Sequence, residues 1–294
     1  MVSATGIEPV IIAQRWSHRS TTWRPQREPF DPRCYEVAPL PHTRIAKDFV
    51  LAHHYSGTFP VALACYGLFE RTGWQEQTLV GVVVFSVPVQ AKAGAAYGAG
   101  TTRFCDLGRF LLADRVGGNA ETWTLRRALK LLAAEHQDEH RRPKYPLVLA
   151  YSDPVPRTDA RGTMRFNGHY GGIYREKSAL YLGRATRRRI WLAPDGTSLS
   201  DRALSKLRTG GNGAAYTYEQ LRRHGAPNRA IGEADAAYVS RALREGPFRA
   251  VQHPGNHVYA FTLGSHASRK SLAATLRAGG PYPTHTDPMN TTGP

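Results

Sequence analysis

The sequence has little cysteine and no long apolar segment. Its three cysteines, at positions 34, 65 and 105 of 294 residues, do not form a CxxC motif. Neither a disulfide framework nor a zinc ribbon is therefore indicated, and a reducing compartment is expected. No segment approaches the roughly 20 apolar residues that a membrane span needs, and the N-terminus lacks the pattern of a secretion signal. These absences predict a soluble, cytoplasmic protein with no membrane partner.

Acidic residues are few beside the number of basic ones. The chain has 23 Asp and Glu against 39 Lys and Arg, a formal net charge of +16. Such a charge favours a polyanionic partner, and nucleic acid is the first candidate. Charge alone does not decide this, because some proteins are simply basic. With 41% hydrophobic residues, the chain can bury a substantial core.

The hydrophobic periodicity divides the chain into four regions. Residues 1–40 are rich in proline, arginine, serine and threonine, and they are expected to be loosely ordered, as is the tail at 276–294. Residues 41–195 form the expected catalytic core. Residues 196–275 form a basic extension of short helices and a final strand, which is expected to contact DNA.

The core alternates helix and strand patterns. A helix is predicted from Thr43 to Tyr55, followed by a hairpin of VALACYGLFE and TLVGVVVFSVPV and a strand at RFCDLGRFLLAD. A long helix from Asn119 to Gln137 leads to a buried strand, PLVLAYSDP. Because a strand-helix-strand connection makes the two strands parallel, the pattern predicts an α+β fold with a mixed, mostly antiparallel sheet. A further helix is expected around Ile173 to Tyr181.

A glycine-bearing loop precedes the long helix. Its sequence, Arg115-Val116-Gly117-Gly118-Asn119-Ala120, has the spacing R-x-x-G-x-A. Glycines let backbone N–H groups approach an anion, and the following helix adds the positive end of its dipole. The loop therefore predicts a pyrophosphate site. The alternative is a tight turn in which Asn119 caps the helix.

This loop resembles the coenzyme A pyrophosphate signature of the GNAT acetyltransferases, [QR]-x-x-G-x-[GA]. The resemblance implies a splayed pair of parallel strands that binds acetyl-CoA or a related CoA thioester. The implied coenzyme contacts are Arg115, Gly117, Gly118, Asn119, Ala120 and Thr122. Arg109, on the strand before the loop, would contact the coenzyme or a DNA phosphate, or is alternatively structural. Tyr174 or Tyr181 would protonate the leaving thiolate, since a phenol with a pKa near 10 suits that role. Each tyrosine is alternatively a core aromatic.

Several segments within about residues 43–190 together resemble the phage Mom DNA-modification family. They are HHYSG, LVGVVVFSVP, NAET, YSDP, GHYGGIY and YLGR. Thr122 stands where the family has serine, and GHYGG departs mildly from the family pattern. The resemblance implies that a carbamoylmethyl- or acyl-type group is added to the exocyclic N6 amine of adenine in phage DNA, within the host cytoplasm. Such a modification protects the DNA from host restriction.

The implied chemistry needs a base, because the lone pair of an aromatic amine is delocalised into the ring, and it needs the adenine extruded from the duplex. Asp153 is the first candidate for the base, or for a hydrogen bond that orients the amine. His54 and Tyr55 are expected as acid/base and stacking groups, and Ser152 as a substrate contact. The alternatives are a turn-initiating Asp153, a helix-capping His54 and a core Tyr55.

The later basic residues are expected to contact DNA phosphates. They are Arg187, Arg188, Arg189, Lys206, Arg208, Arg222 and Arg223, interleaved with Tyr181, Trp191, Tyr216 and Tyr218. The alternative is a solvated basic face. The TGGNG segment at 209–213 would either follow a phosphate backbone or serve as a linker.

Six side chains of metal-ligating types could converge on a metal ion: His53, His54, Asp153, His169, His253 and His257. The Mom resemblance also allows a redox iron. No ligand spacing is diagnostic, however, and Pro254 and Gly255 prevent a helical pair between the last two histidines. No metal site is predicted.

Two other functions remain open. One is an ordinary GNAT N-acetyltransferase acting on a protein or small-molecule amine, which would not need the basic second half. The other is a DNA-binding protein without catalysis, which would not need an anion loop together with polar groups at the ends of core elements. The sequence does not indicate an oligomeric state.

Overall fold

The computed structural model describes residues 12–25, 28–73, 76–98 and 103–284. The strands are β1 (Ile12–Ser17), β2 (Ser20–Pro25), β3 (Tyr35–Pro39), β4 (Ala62–Arg71), β5 (Gln77–Ser86), β6 (Phe104–Leu112), β7 (Leu147–Ser152), β8 (Arg157–Thr158), β9 (Met164–Phe166), β10 (Leu180–Arg184), β11 (Arg188–Leu192), β12 (Arg249–His253) and β13 (His257–Thr262). The helices are α1 (Thr43–His53), α2 (Ala93–Ala96), α3 (Ala120–Glu135), α4 (Gly172–Glu176), α5 (Asp201–Arg208), α6 (Ala214–Arg223), α7 (Asp235–Glu245) and α8 (His266–Thr275).

The chain folds as two compact units that are interleaved along the sequence. The first takes in the described parts of Met1–Pro154, His169–Arg184 and Asn256–Asp287. The second takes in Val155–Gly168 and Ala185–Gly255. The units therefore do not follow the boundary expected at residue 195.

The first unit is built on a seven-stranded sheet in the order β10-β13-β7-β6-β5-β4-β3. Every neighbouring pair is antiparallel except β6 and β7, which are parallel. The predicted α+β fold with one parallel strand pair is confirmed. β5 reads as a continuous apolar run because an inner strand covered on both faces needs apolar side chains on each.

Helices cover this sheet through their apolar faces. Leu125, Leu129 and Leu132 of α3 pack into the main core with Val83 and Val148 of the sheet. α1 packs against β4 and β5 through Ala46 and Val50, which are fully buried. Each helix follows the apolar period of its sequence. Among the described residues, no helix is long and apolar enough to cross a membrane.

The second unit is a small helical cluster with two short strand pairs. α5, α6 and α7 share a core that includes Leu204, Leu221 and Tyr238. β11 pairs with β12, and β8 pairs with β9. The Ser200 hydroxyl caps α5 by accepting from the Ala203 amide. The short helices expected from the sequence are all present here.

The N-terminal segment is more ordered than its composition suggested. β1 and β2 form a hairpin, and β3 is the edge strand of the large sheet. The Arg15 side chain, only 2% exposed, lies 2.7 Å from the Glu121 carboxylate. The expectation of loose order therefore does not hold for residues 12–25 and 28–40. Residues 1–11 lie outside the described part of the chain.

Two other differences come from long-range strand pairing. The helix expected around Ile173 to Tyr181 ends at Glu176, because Ser178 turns the chain with a φ of 56° and Leu180 then enters β10. The final strand, β13, pairs with β7 and β10 and so belongs to the first unit, not to the basic extension.

The expected disordered tail also differs from the structure over its first part. Within 276–284, the Tyr282 hydroxyl donates to the Ala179 carbonyl at 2.6 Å. The Gly279 amide donates to the Tyr181 carbonyl at 2.9 Å. The remainder, 285–294, lies outside the described residues.

We expect Arg15→Ala to lower the free energy of unfolding by about 3–5 kcal/mol, because it strands the Glu121 carboxylate without its buried partner. Arg24→Ala is the matched control, since its pair with Glu28 is partly solvent-exposed and such pairs contribute about 1 kcal/mol or less. Urea unfolding of both variants measures the difference. Equal decreases in the free energy of unfolding would show that the buried Arg15–Glu121 pair stabilises the fold no more than the partly exposed Arg24–Glu28 pair.

Candidate active site and basic surface

The first unit opens between its two parallel strands. β6 and β7 pair only at Phe104–Leu147, Cys105–Val148 and Asp106–Leu149. Beyond these pairs, β6 continues along β5 while β7 continues along β13. We refer to the gap between the two departing strands as the β6–β7 opening. Gly108, the extra residue of a β-bulge opposite β5, stands at its start.

The glycine-bearing loop lies at the far end of β6 and leads into α3. Arg15 donates to the carbonyls of Val116 and Gly117 and is ion-paired with Glu121 in the first turn of α3. The carbonyl side of the loop is thus occupied by a cation. An anion could approach only the opposite side, where the first N–H groups of α3 have no partner within the helix.

The other predicted loop residues have local partners. Asn119 has a φ of 65° and makes no side-chain cap, so the alternative of a capping Asn119 is wrong. The Thr122 hydroxyl donates to the Asn119 carbonyl at 3.2 Å. Arg115 lies 3.1 Å from the Glu70 carboxylate. Ala120 is fully buried, and Gly117 has no room for a Cβ because the Pro29 carbonyl would lie 2.3 Å away.

A chain of hydrogen bonds connects Arg109 with His54. The Arg109 Nη2 donates to Thr58 Oγ1 at 2.7 Å, and Thr58 Oγ1 donates to Ser56 Oγ at 3.3 Å. Arginine can only donate, so the Thr58 hydroxyl accepts from Arg109 and donates its own hydrogen to Ser56. The Ser56 hydroxyl in turn donates to His54 Nδ1 at 2.8 Å. The Ser56 amide also donates to Nδ1, at 3.1 Å. His54 is therefore the tautomer that carries its hydrogen on Nε2.

His54 is also held neutral. Burial lowers its pKa well below the ordinary value, and the charges of Arg109 and His169 lower it further. A neutral imidazole whose Nδ1 already accepts can offer only its Nε2–H as a donor. His54 is thus suited to donate a hydrogen bond to a polar oxygen. The sequence had suggested an acid/base role or a helix cap.

Aromatic rings surround His54. The Tyr55 ring stacks on His54, with centroids 4.4 Å apart, and Trp16 lies 4.6 Å from Tyr55. Tyr55 is also close enough to Arg109 and Tyr174 to influence both electrostatically. The structure therefore places Arg109, His54 and Tyr55, which are all predicted site residues, beside one another at the opening.

Ser152 and Asp153 follow directly at the carboxyl end of β7. Both are buried, at 0% and 8% exposure. Ser152 pairs with His257 of β13, and the Asp153 carbonyl accepts from the His169 amide at 2.8 Å. The His169 side chain also lowers the pKa of His54. His169 therefore contacts Asp153 through its amide and lies near His54 through its imidazole.

The two predicted tyrosines have different surroundings. Tyr174 is a buried member of the main core, with its ring 5.2 Å from that of Tyr259. Its pKa is raised by burial and by neighbouring Tyr55 and Tyr259. The Tyr181 hydroxyl is 2.8 Å from His257 Nδ1. Of the two predicted tyrosines, Tyr181 is therefore the one whose hydroxyl is hydrogen-bonded to an imidazole.

Asp106 is a buried acid that sequence reasoning did not single out. It is 4% exposed, and burial raises its pKa to about 6. Its position in the strand FCDLGRF carried a signal, since a carboxylate among apolar strand residues is rarely buried without a reason. His169, His257, Ser56 and Thr58 were also not assigned catalytic or positioning roles.

The candidate metal ligands do not gather. Among the described residues, no group of three or more His, Cys, Asp and Glu side chains is arranged to hold a metal ion. His53 packs against His18 and Phe49, and the His253 Nδ1 accepts from the Gly255 amide. His253 and His257 also belong to different units.

The second unit carries an excess of positive charge. It has fifteen Lys and Arg against seven Asp and Glu in residues 155–168 and 185–255. Several of the acids are already ion-paired within the unit, such as Glu233 with Arg241 and Asp235 with Arg229. By contrast, five predicted DNA contacts are exposed and form no ion pair with any described carboxylate: Arg187, Arg188, Arg189, Lys206 and Arg208.

The other predicted DNA contacts are partly engaged by their own helix. Arg222 donates to the Ala226 carbonyl at 2.7 Å, and Arg223 contacts the Glu219 carbonyl at 3.4 Å. Of the interleaved aromatics in this unit, Tyr216 is 65% exposed. Trp191 and Tyr218 pack on the helical core instead.

The TGGNG segment is the turn between α5 and α6. Gly210 and Gly213 have φ values of 64° and 93°, which side chains with a Cβ rarely adopt. The Gly211 amide donates to the Lys206 carbonyl at 2.8 Å. The segment therefore ends one helix and starts the next, and the alternative of a linker is wrong.

The two parallel strands of the mixed sheet part beside the glycine-bearing loop. The family model of the Mom protein family matches residues 35–233, and the chain belongs to this family. None of the curated proteins matches the sequence. Among solved structures, the chain is similar to a tandem GNAT protein from the clavulanic acid biosynthesis pathway, determined without AcCoA, with 12% identity and a TM-score of 0.38 over 79% of this chain and 99% of that one.

We expect His54 to be the neutral Nε2–H tautomer and to become protonated only well below the ordinary pKa of histidine, because burial and the charges of Arg109 and His169 oppose its protonation. Nitrogen-15 NMR of the imidazole measures both the tautomer and the titration. A His54 resonance that titrates at the ordinary value, near 6.5, would contradict the hydrogen-bond chain from Arg109.

Proposed function

We propose that the protein is an enzyme that modifies the exocyclic N6 amine of adenine in phage DNA, using a CoA thioester as donor, and that the carbamoylmethyl- or acyl-type product resists host restriction. The observation that carries the proposal is the match to the Mom protein family over residues 35–233. This range contains the β6–β7 opening together with Asp153, His54 and Tyr55.

The loop before α3 supports a coenzyme with a pyrophosphate. Arg15 fills the carbonyl side of residues 116–117, which leaves the other side of the loop and the first N–H groups of α3 for an anion. A bound CoA thioester would supply the activated carbon of the reaction. The loop follows β6, one of the two strands that border the β6–β7 opening.

The residues around the opening suit an amine acceptor. Asp153, buried at the end of β7, is placed to accept a hydrogen from the adenine amine. His54 offers its Nε2–H to an oxygen that gains negative charge as the new bond forms. Tyr181, hydrogen-bonded to His257, is placed to supply a proton to the leaving group.

The second unit supports a DNA substrate. Its exposed arginines and lysine can neutralise phosphates without first breaking an ion pair to a described carboxylate, so their contribution to DNA affinity is not offset. Tyr216 adds an exposed ring for contact with a base or sugar. An N-acetyltransferase for small amines would gain nothing from this surface.

We expect nucleoside mass spectrometry to find a new deoxyadenosine adduct in DNA from bacteria that express the wild type. Asp153→Asn should lower the adduct by about 10²-fold, because the adenine amine loses the carboxylate that accepts its hydrogen. Asp195→Asn is the control, since Asp195 lies in an exposed turn of the second unit. Unmodified DNA from folded wild type would favour one of the two alternative functions.

Gly118→Asp tests the coenzyme loop separately. A carboxylate there would repel a pyrophosphate, so the adduct should disappear while affinity for DNA stays at the wild-type value. If the loop is an inert turn, neither quantity should change. Loss of both would indicate that the variant has misfolded, which circular dichroism distinguishes.

We also expect the triple variant Arg187→Ala, Arg188→Ala, Arg189→Ala to weaken DNA binding and to reduce the slope of log affinity against log salt by up to about 3. Arg244→Ala is the matched control, because this exposed arginine is already paired with Glu245. Fluorescence anisotropy with duplex DNA between about 50 and 200 mM salt measures the slope. An unchanged slope would contradict phosphate contacts by these arginines.

A further inference from the structure

Asp106 stands where β6 and β7 separate. It is the last residue of β6 that pairs with β7, and the bulge at Gly108 follows two residues later. Cys105 and Leu107 point into the main core, so strand alternation directs Asp106 to the opposite face of the sheet. Asp106 therefore lies at the closed end of the β6–β7 opening.

The Asp106 carboxylate is only half satisfied. Its Oδ2 accepts from the Val89 amide at 3.2 Å. Its Oδ1 is shielded from solvent and has no hydrogen-bond partner among the described residues. A buried acceptor left in this way costs free energy that one further donor would recover. Asparagine could accept the same Val89 bond, so the fold itself does not require a carboxylate here.

Tyr151 forms the neighbouring wall. It lies two residues beyond Leu149, the β7 partner of Asp106, and therefore on the same face about 7 Å further along the strand. Its pKa is raised by burial, by the charge of Asp106 and by Tyr97. An acid beside an aromatic ring is a surrounding in which a planar aromatic amine can stack and donate a hydrogen bond.

The same face of β6 also carries Arg109. Arg109 pairs with Val84, and Asp106 pairs with Ser86, two residues further along β5. The hydrogen-bond chain from Arg109 to His54 thus begins on the same face of β6 as Asp106. The loop after β6 would hold the pyrophosphate of a coenzyme, and the bound coenzyme would supply the acyl carbon.

We propose that Asp106 is a catalytic base, which accepts the proton of the acceptor amine at the closed end of the β6–β7 opening, with Tyr151 beside the amine ring. This inference rests on the proposed function and assigns Asp153 to orienting the amine. The amine nitrogen forms a bond to the acyl carbon of a thioester as the carbon–sulfur bond breaks. The sulfur leaves with the bonding electron pair, the amine proton passes to Asp106, and Tyr181 protonates the sulfur and is itself reprotonated from water.

The buried carboxyl group of Asp106 makes the stability of the protein depend on pH. The pKa of Asp106 is about 6 in the folded protein and 3.8 as the ordinary value. Its contribution to stability is therefore fully present below about pH 4 and is lost as pH rises through about 6. On its own face of the sheet, Tyr151 and the neighbouring Tyr97 have raised pKa values and stay neutral over this range. The Arg109 guanidinium stays charged throughout it.

The test compares Asp106→Asn with the wild type in both the adduct assay and thermal unfolding. We expect the adduct to fall by at least about 100-fold, while the Tm at about pH 8 rises above that of the wild type. The gain in Tm should shrink toward about pH 4, where the wild-type carboxyl is neutral. The wild-type rate should rise as pH increases through about 6 and then level off.

Asp195→Asn again serves as the control and should change neither quantity. A normal adduct level from Asp106→Asn would overturn this inference and leave the proposed function standing. Loss of adduct together with a lower Tm at about pH 8 would also overturn it, since Asp106 would then be structural. Unmodified DNA from folded wild type would overturn the proposed function and this inference together.

Discussion

The architecture of the first unit depends on a strand pairing that stops early. β6 and β7 share only three residue pairs, after which each is held by its other neighbour. Because parallel strands normally satisfy each other's backbone groups, strands that part leave donors and acceptors facing a gap. The sheet is stable around this gap because β5 and β13 complete the ladders on either side. The polar residues gather where the ladder is interrupted.

A second constraint is the buried charge that holds the loop after β6. Arg15 comes from a hairpin more than a hundred residues away in sequence from Glu121, and it also engages the loop carbonyls. The desolvation of a guanidinium is tolerated only when nearly all its donors are used. The N-terminal hairpin is thereby part of the loop's structure, and the orientation of the loop amides depends on it.

The sequence predicted those parts of the structure that depend on local pattern. The hairpin of β4 and β5, the long helix α3 and the strand that leads to Asp153 follow from periodicity and breakers, and the expected mixed sheet was confirmed. The helix α1 was also predicted, although it ends at His53 and not at Tyr55. The sequence could not predict Arg15, because a composition rich in proline and arginine gives no sign of a partner at Glu121. Nor could it place β13, whose inner position is set by pairing with β7 and β10. Asp106 was detectable as a carboxylate inside an apolar strand, but its unpartnered oxygen required the packed structure.

Because the two units are interleaved along the sequence, their parts must fold in a fixed order as the chain is synthesised. β7 and β10 cannot be joined until β13 fills the place between them, and β13 follows the entire second unit in sequence. Helices α5 and α6 of the second unit are neighbours in sequence and pack together, and such local contacts form fast, whereas the large sheet must wait for its most distant strand. Until residue 262 has left the ribosome, the β7 edge has no partner on that side. A ribosome that stalls before this point would leave an apolar sheet edge exposed to aggregation.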